Sequence, residues 1–445
     1  MDHRIMIVAG TRPELIKLAP VFWELERKGI NYVFVWSGQH YDYEMSHVFM
    51  EELKIPNPDF DLGVGSGSHA VQTAKAMIGV EEAIRYYRPN LIVALGDTNT
   101  VVATALSSVK SLVPFAHIEA GVRSWNMAMP EEVNRKIADH VAQLLFTHSE
   151  LATVNVLAEG VSGNVIQTGN TIIDALKKAM LSVERYGARI VEEIGESIDN
   201  PFILATVHRQ ENTDNMQRLA SIVKALVKLA AKYIVIVPIH PRTHRRLAEY
   251  GLMKKLKAYR NIKLLKPLGY FEFLYLLKRT QVVLTDSGGV QGEAFTLKIP
   301  TVTIRYSTEY PETVLLGCNV LAGADTDRIV EYTLHMIRVR KTLKSRLARI
   351  PNPYGDGKAG EKIINAILEY LGNPNNQIVQ EPDLRNFPLI VYMIKKLSSI
   401  KPTRDEVLCY INEDGKLTSN IAKAVAAYVR SKVRLLKPWE NLEYL

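Results

Sequence analysis

Asp286-Ser287-Gly288-Gly289-Val290-Gln291-Gly292-Glu293 is the stretch on which the fold turns. A short apolar run, Val282–Thr285, leads into it, and a helical pattern leads out. A strand that ends on Asp-Ser-Gly-Gly and opens a helix aims backbone N–H groups at an anion, and the helix dipole favours negative charge there. Far upstream, Gly10-Thr11-Arg12-Pro13-Glu14 repeats the construction after the apolar run Arg4–Ala9. Two such turns, one in each half of the chain, suit an enzyme that grips a diphosphate between two domains.

Between and around them the chain alternates strand and helix. In the first half the pattern predicts strands over Arg4–Ala9, Tyr32–Ser37, Asn90–Leu95, Pro114–Ile118 and Leu144–Thr147. Helices are expected over Pro13–Lys28, Ser68–Tyr87, Thr98–Lys110 and Glu131–His140. The second half gives strands Phe202–Thr206, Tyr233–Pro238, Val282–Thr285 and Thr301–Ile304, with helices Asp214–Ala231, Phe271–Lys278 and Gln291–Leu297. Continuously apolar strands separated by amphipathic helices mean parallel sheets covered on both faces. The fold class expected is α/β: two doubly wound, Rossmann-like domains facing a cleft, with ligands at the carboxyl ends of the strands. The division read from the sequence is residues 1–174, residues 175–357, a returning helix at 358–372, and a helical extension at 373–445 with helices at Leu389–Leu397 and Ile421–Leu435.

A length of 445 residues agrees with two domains plus a small piece. No apolar run reaches the roughly 18 residues of a membrane span, and the N-terminus enters a strand directly, so no membrane insertion and a cytoplasmic location are expected. Cys318 and Cys409 are the whole cysteine complement, which supports neither a disulfide framework nor a metal-ligand spacing. The formal charge of +8 is spread along the chain without a nucleic-acid motif, so no nucleic-acid partner is expected.

Polar clusters stand where strands end. Arg12 and Lys17, at a helix start, suit a phosphate or leaving-group oxygen. Asp97 follows the third strand, where a helix N-cap is the plain alternative. Glu119 lies in His117-Ile118-Glu119-Ala120-Gly121, among small and apolar neighbours that suit proton transfer. Pro130-Glu131-Glu132-Val133-Asn134-Arg135 starts a helix, with Glu131 in its first turn and Arg135 one turn on. Crowded carboxylates cannot all ionise equally easily, which separates acid from base. In the second half, His208 is a phosphate donor or proton shuttle, and His240 is a weaker candidate. Ser287, Gly288 and Gly289 can wrap a phosphate, Glu293 can accept ribose hydroxyls, and Phe273 can flank a base or be ordinary core.

Together these motifs resemble the non-hydrolysing UDP-N-acetylglucosamine 2-epimerases, a family of GT-B architecture. The matching segments are GTRPE with Lys17, GDT at 96–98, HIEAGVRS at 117–124, PEEVNR at 130–135, TGNTIIDAL at 168–176, HRQEN at 208–212, PLGY with Phe273, TDSGG at 285–289 and NPYGDG at 352–357. They run in order over residues 4 to 371, and the tail beyond 372 falls outside them. The resemblance implies interconversion of UDP-GlcNAc and UDP-ManNAc. In that reaction UDP is eliminated to a 2-acetamidoglucal and then re-added, with no cofactor and no metal. It assigns Asp97, Glu119 and Glu131 to proton transfer, and His208, as a catalytic group, to UDP or the charge on its departing oxygen. Arg12, Lys17 and Arg135 fall to UDP or its departing charge, and Ser287, Gly288, Gly289, Glu293 and Phe273 to the nucleotide. It also implies a homodimer, a role in cell-surface polysaccharide synthesis, and a second, regulatory site at Gln39, His40 and His240.

Two departures stand out. The family's usual Thr-Glu-Arg-Pro-Glu is Thr308-Glu309-Tyr310-Pro311-Glu312 here, and its Gln-Glu-Glu is Gln291-Gly292-Glu293. Arg305 stands nearby as a substitute cation. The departures keep two alternatives open: a 2-epimerase of a related UDP-diacetamido-sugar uronate, or a GT-B glycosyltransferase with a UDP-sugar donor.

Overall fold

Thirteen strands make up two parallel sheets in the computed structural model, which describes residues 3–38, 50–198 and 200–373. The first sheet has the order β3-β2-β1-β4-β5-β6-β7, with β1 Ile5–Ala9, β2 Tyr32–Trp36, β3 Phe60–Asp61, β4 Leu91–Leu95, β5 Phe115–Ala120, β6 Leu144–Thr147 and β7 Asn164–Gln167. The second runs β10-β9-β8-β11-β12-β13, with β8 Phe202–Thr206, β9 Ile234–Pro238, β10 Ile262–Leu265, β11 Val282–Thr285, β12 Thr301–Thr303 and β13 Asn319–Leu321. In each sheet the strand order reverses beside the first strand. The crevice between β1 and β4, and its counterpart between β8 and β11, is therefore a topological switch point, where open α/β sheets bind ligands. The two turns read first from the sequence follow β1 and β11.

Central strands are buried on both faces: β1, β4 and β5 carry no exposed residue. That is why they read as unbroken Ile, Val, Leu and Ala runs rather than as alternation. The helices take their bounds from local chemistry. Arg12–Lys28 starts behind Thr11, with Pro13 in the first turn and Glu14 closing a capping box, and ends on Gly29 at φ 63°. His69–Tyr87 is capped by the Ser68 hydroxyl, and Thr171–Met180 by Asn170.

The sequence reading found the core of both sheets and missed their margins. It omitted β3, β7, β10 and β13, which are short, and the 22-residue helix Thr326–Leu347. Inward positions of that helix include Thr333 beside Ile329, Met336, Leu343 and Leu347, so a polar residue interrupts the apolar stripe. β5 also runs past the expected Ile118 to Ala120, which puts Glu119 inside a strand.

Residues 171–198 are packed rather than linking. Thr171–Met180 contacts Arg12–Lys28, Gly288–Thr296 and the returning helix Ala359–Gly372. Leu176, Ala179, Val183, Ile190 and Ile194 join an apolar cluster drawn from both sheets. Gly360 lets the returning helix press onto the first half, since a Cβ there would lie 2.6 Å from the Pro20 carbonyl oxygen. Gly169 and Gly355, both with positive φ, meet where the two halves cross: a Cβ on Gly355 would sit 3.0 Å from the Gly169 Cα. Among the described residues no helix is long and apolar enough to cross a membrane. The expected helices at 389–397 and 421–435 lie outside the described residues.

Candidate active site

The N-terminal wall is built from three strand ends drawn tightly together. Gly10 follows β1, where a Cβ would fall 2.3 Å from Thr100 Oγ1 and 2.4 Å from Ser37 Oγ. Glu14 accepts hydrogen bonds from the Gly10 and Thr11 amides at 2.6 and 2.8 Å and from the Thr98 hydroxyl at 2.7 Å. Burial pushes its carboxyl up to about 7. The Gly96 carbonyl, before Asp97, accepts from His117 Nε2 at 2.8 Å, and His117 Nδ1 meets Asp139 at 2.6 Å. Buried Arg123 also donates to Asp139 at 2.6 Å.

This scaffold brings the three expected carboxylates to one edge. Asp97 accepts from Arg135, which also donates to Glu132 Oε2 at 2.9 Å. Against the cost of desolvation, Arg135, Lys17 and Arg209 hold Asp97 below the usual carboxylate range. Glu119 sits at a β-bulge in β5 with φ 70°, and its Oε2 accepts from Lys17 Nζ at 2.6 Å. Its Oε1 is buried and has no hydrogen-bond partner among the described residues. Glu131 is a third exposed and faces Arg209 of the other half at 3.7 Å. The partner of Arg135 on its own helix is thus Glu132 rather than Glu131. Glu132 is fully buried and accepts from the Ser124 amide and hydroxyl and the Trp125 amide, which leaves Glu131 to the cleft.

The C-terminal wall is organised by Asp286, at the end of β11. It accepts from the amides of His208 and Arg209 at 3.0 Å each and from Asn212 Nδ2 at 3.1 Å, and its Oδ1 lies 3.3 Å from His208 Nδ1. Burial, together with Arg209, Arg242 and Arg305, lowers the proton affinity of the His208 ring against the pull of Asp286. His240 stands 5.7 Å from His208, its affinity lowered to about 4 by burial, then by His208 and by Arg12 from the opposite wall. Ser287 precedes the helix Gly288–Thr296. Gly289 opens on free space, with nothing within 4 Å of where a Cβ would be, while Gly288 is closed off by Tyr310 at 3.2 Å. Glu293 is buried one turn on, facing the Tyr270 hydroxyl, and its carboxyl is pushed up to about 7 by burial.

The remaining expectations divide. Arg12 and Lys17 take their places at the start of the helix after β1. Phe273 is half-buried against the larger apolar cluster, on the helix Tyr270–Arg279 whose first residue faces Glu293. Gln39 and His40 lie outside the described residues. Arg305 is not a substitute cation. It is buried and its charge is already paired, donating to Glu211 at 2.7 Å and to both Glu309 oxygens at 2.7 and 2.8 Å. The sequence reading missed Glu14, His117, Asp139 and Asp286 as supports. Glu14 was visible in GTRPE as the acid of a capping box, and the others give no local signal because their partners are remote in sequence.

Two Rossmann-like domains whose switch points face one charged cleft make this a GT-B protein. The family model described as UDP-N-acetylglucosamine 2-epimerase matches residues 24–368. The UDP-N-acetylglucosamine 2-epimerase of Methanocaldococcus jannaschii is 41% identical over 370 residues, covering 82% of this chain and 99% of the relative. Its crystal structure in complex with UDP-GlcNAc and UDP matches with a TM-score of 0.76 at 39% identity, over 82% of this chain and 99% of that one. The UDP-2,3-diacetamido-2,3-dideoxy-D-glucuronate 2-epimerase of Pseudomonas aeruginosa is 38% identical over 373 residues, 83% of this chain and 99% of the relative. The chain belongs to the UDP-N-acetylglucosamine 2-epimerase family and is an isomerase.

Proposed function

We propose that the protein interconverts UDP-GlcNAc and UDP-ManNAc. The observation that carries the reading is the convergence of Asp97, Glu119 and Glu131 on one wall, opposite the Ser287–Gly289 helix start on the other. One carboxylate takes the C2 proton while the C1–O bond breaks, leaving a C1=C2 double bond in a 2-acetamidoglucal and UDP as leaving group. UDP oxygen then re-adds at C1 as a second group returns a proton to the opposite face of C2. Two faces need two proton-transfer groups. Asp97, kept ionised by Arg135, suits a base or charge-stabilising part, and Glu131, the most open of the three, suits exchange with solvent or product.

Arg12, Lys17 and His208 are proposed to meet the diphosphate and stabilise the charge that develops as it leaves. Ser287, Gly288 and Gly289 are proposed to present helix-start amides to it, Glu293 to hold the ribose and Phe273 to lie near the base. We divide the chain into a carboxylate-bearing domain to residue 174, a UDP-binding domain to 357 and the returning helix. We further propose a homodimer, and His240 with Gln39 and His40 as a second nucleotide site.

The uronate alternative has the P. aeruginosa relative in its favour. Recognition of an added sugar carboxylate wants a spare cation, and Arg305 is already committed to Glu211 and Glu309. The purified protein supplied separately with the two UDP-sugars, with product read by anion-exchange chromatography, decides between them. Formation of UDP-ManNAc is expected, and turnover of the diacetamido-uronate alone would replace this reading.

A further inference from the structure

Two carboxyl groups meet where the halves of the chain touch. Glu52 belongs to the first half, in the segment 50–55, which is anchored by the Leu53 carbonyl accepting from Trp23 Nε1 at 2.8 Å. Met50, Leu53 and Ile55 of that segment share one apolar cluster with Tyr270 and Phe271 of the second half. Glu272 stands in the first turn of the helix Tyr270–Arg279 and accepts from the Gly269 amide at 3.0 Å. A Cβ on Gly269 would lie 3.3 and 3.5 Å from the two Glu52 oxygens and 3.6 Å from Glu272 Oε2. Both carboxyl groups therefore crowd the space that this glycine leaves open.

The charges around the pair do not neutralise it. Arg189, in the wedge over 171–198, reaches Glu272 Oε1 at 3.2 Å but is mostly exposed. Glu51 and Lys54 flank Glu52 on its own segment and are exposed, and Lys54 lies within electrostatic reach of Lys178. Glu272 is the charge that acts on Glu52, whose Oε2 is buried without a hydrogen-bond partner among the described residues. Burial first, and Glu272 second, push the Glu52 carboxyl up to about 7. Two carboxyl groups crowded in this way cannot both ionise freely, and a proton between them supplies the hydrogen bond that Glu52 lacks. The other contacts across the cleft, Arg209 with Glu131 and Arg305 with Met129, set no like charges together.

We propose that Glu52 and Glu272 form a proton-operated clasp between the two halves. One proton held between the carboxyl groups keeps the halves together, and its loss sets two like charges against each other and loosens them. A carboxyl whose proton affinity is raised in the clasped state favours that state at low pH and releases it as pH rises through about 7. With opening returning Glu52 to an ordinary carboxyl near 4.5, the clasped state loses about tenfold against the open one between about pH 6 and 8. The clasp sets how open the cleft stands before any ligand arrives, and so it is independent of the reaction proposed above.

Small-angle X-ray scattering of the ligand-free protein at about pH 6 and pH 8 tests it. The radius of gyration of wild type is expected to rise with pH, while that of Glu52→Gln, which resembles the protonated form, stays at its low-pH value. Glu14 and Glu293 titrate in the same window, so the comparison with the variant carries the test. Equal expansion of wild type and Glu52→Gln overturns the proposal, and so does a wild type whose radius does not change. Glu272→Gln keeps an acceptor for the Gly269 amide while removing the opposing charge, and it is expected to abolish the expansion as Glu52→Gln does. The double variant should then behave as either single one; expansion that persists in Glu272→Gln overturns the pairing.

Discussion

Glu119 holds a positive φ inside a strand, a conformation that costs a non-glycine residue on the order of 1 kcal/mol or more and persists only where its surroundings impose it. The bulge between Ile118 and Ala120 turns this carboxylate toward Lys17 and the cleft. Glu131 differs: it is partly open and its nearest cation, Arg209, is 3.7 Å away. Glu131→Gln is therefore expected to cut turnover by about 10² to 10⁴ while leaving the Kd for UDP within a few-fold. Calorimetric loss of UDP binding in that variant would contradict its role as a proton-transfer group. Arg12→Ala is expected to do the reverse, weakening UDP in the same titration. The polar residues proposed to act at strand ends were legible because their types are unusual there. Tyr310 was legible only as a departure; its pocket of Gly292, His148 and Asn170 required the tertiary structure.

At the scale of elements, the loops after β1 and β4 are fastened by Glu14, whose carboxyl is pushed up to about 7. Unfolding frees it to an ordinary carboxyl near 4.5, so between about pH 4.5 and 7 the folded chain binds more protons than the unfolded one. Its contribution is whole below 4.5 and is lost as pH rises through 7. Glu14→Gln, which resembles the protonated form, is expected to flatten the fall of Tm over that window, by up to about 3 kcal/mol at pH 7.5. Parallel Tm-against-pH curves for variant and wild type would contradict this. Gly169→Ala probes the crossing of the two halves. With φ 93° and a Cβ 3.0 Å from the Tyr354 carbonyl oxygen, it is expected to cost about 1–3 kcal/mol, read as a lower Tm. The long buried strands were readable as apolar runs; β3 and β13 were not, because Phe60-Asp61 and Asn319-Val320-Leu321 offer too few apolar positions to stand out from the loops around them.

At the scale of the molecule, each half repeats one device, a switch point with a polar turn on either side, and the chain turns the two devices toward each other. Arg209 reaches Glu131, and Arg305 reaches Met129 at 3.9 Å, so the walls already touch across the cleft. The repeat was visible in the sequence as two polar turns at equivalent places. The helical wedge over 171–198 was not, since its apolar residues look like an ordinary linker helix until both sheets are present. On the proposed mechanism, closure of the cleft between these walls would exclude water from the glucal intermediate. The most direct test of the account is proton NMR of the purified protein with UDP-GlcNAc in D₂O. The account predicts that deuterium enters C2 as UDP-ManNAc appears. An unexchanged C2 proton with no UDP-ManNAc would contradict it.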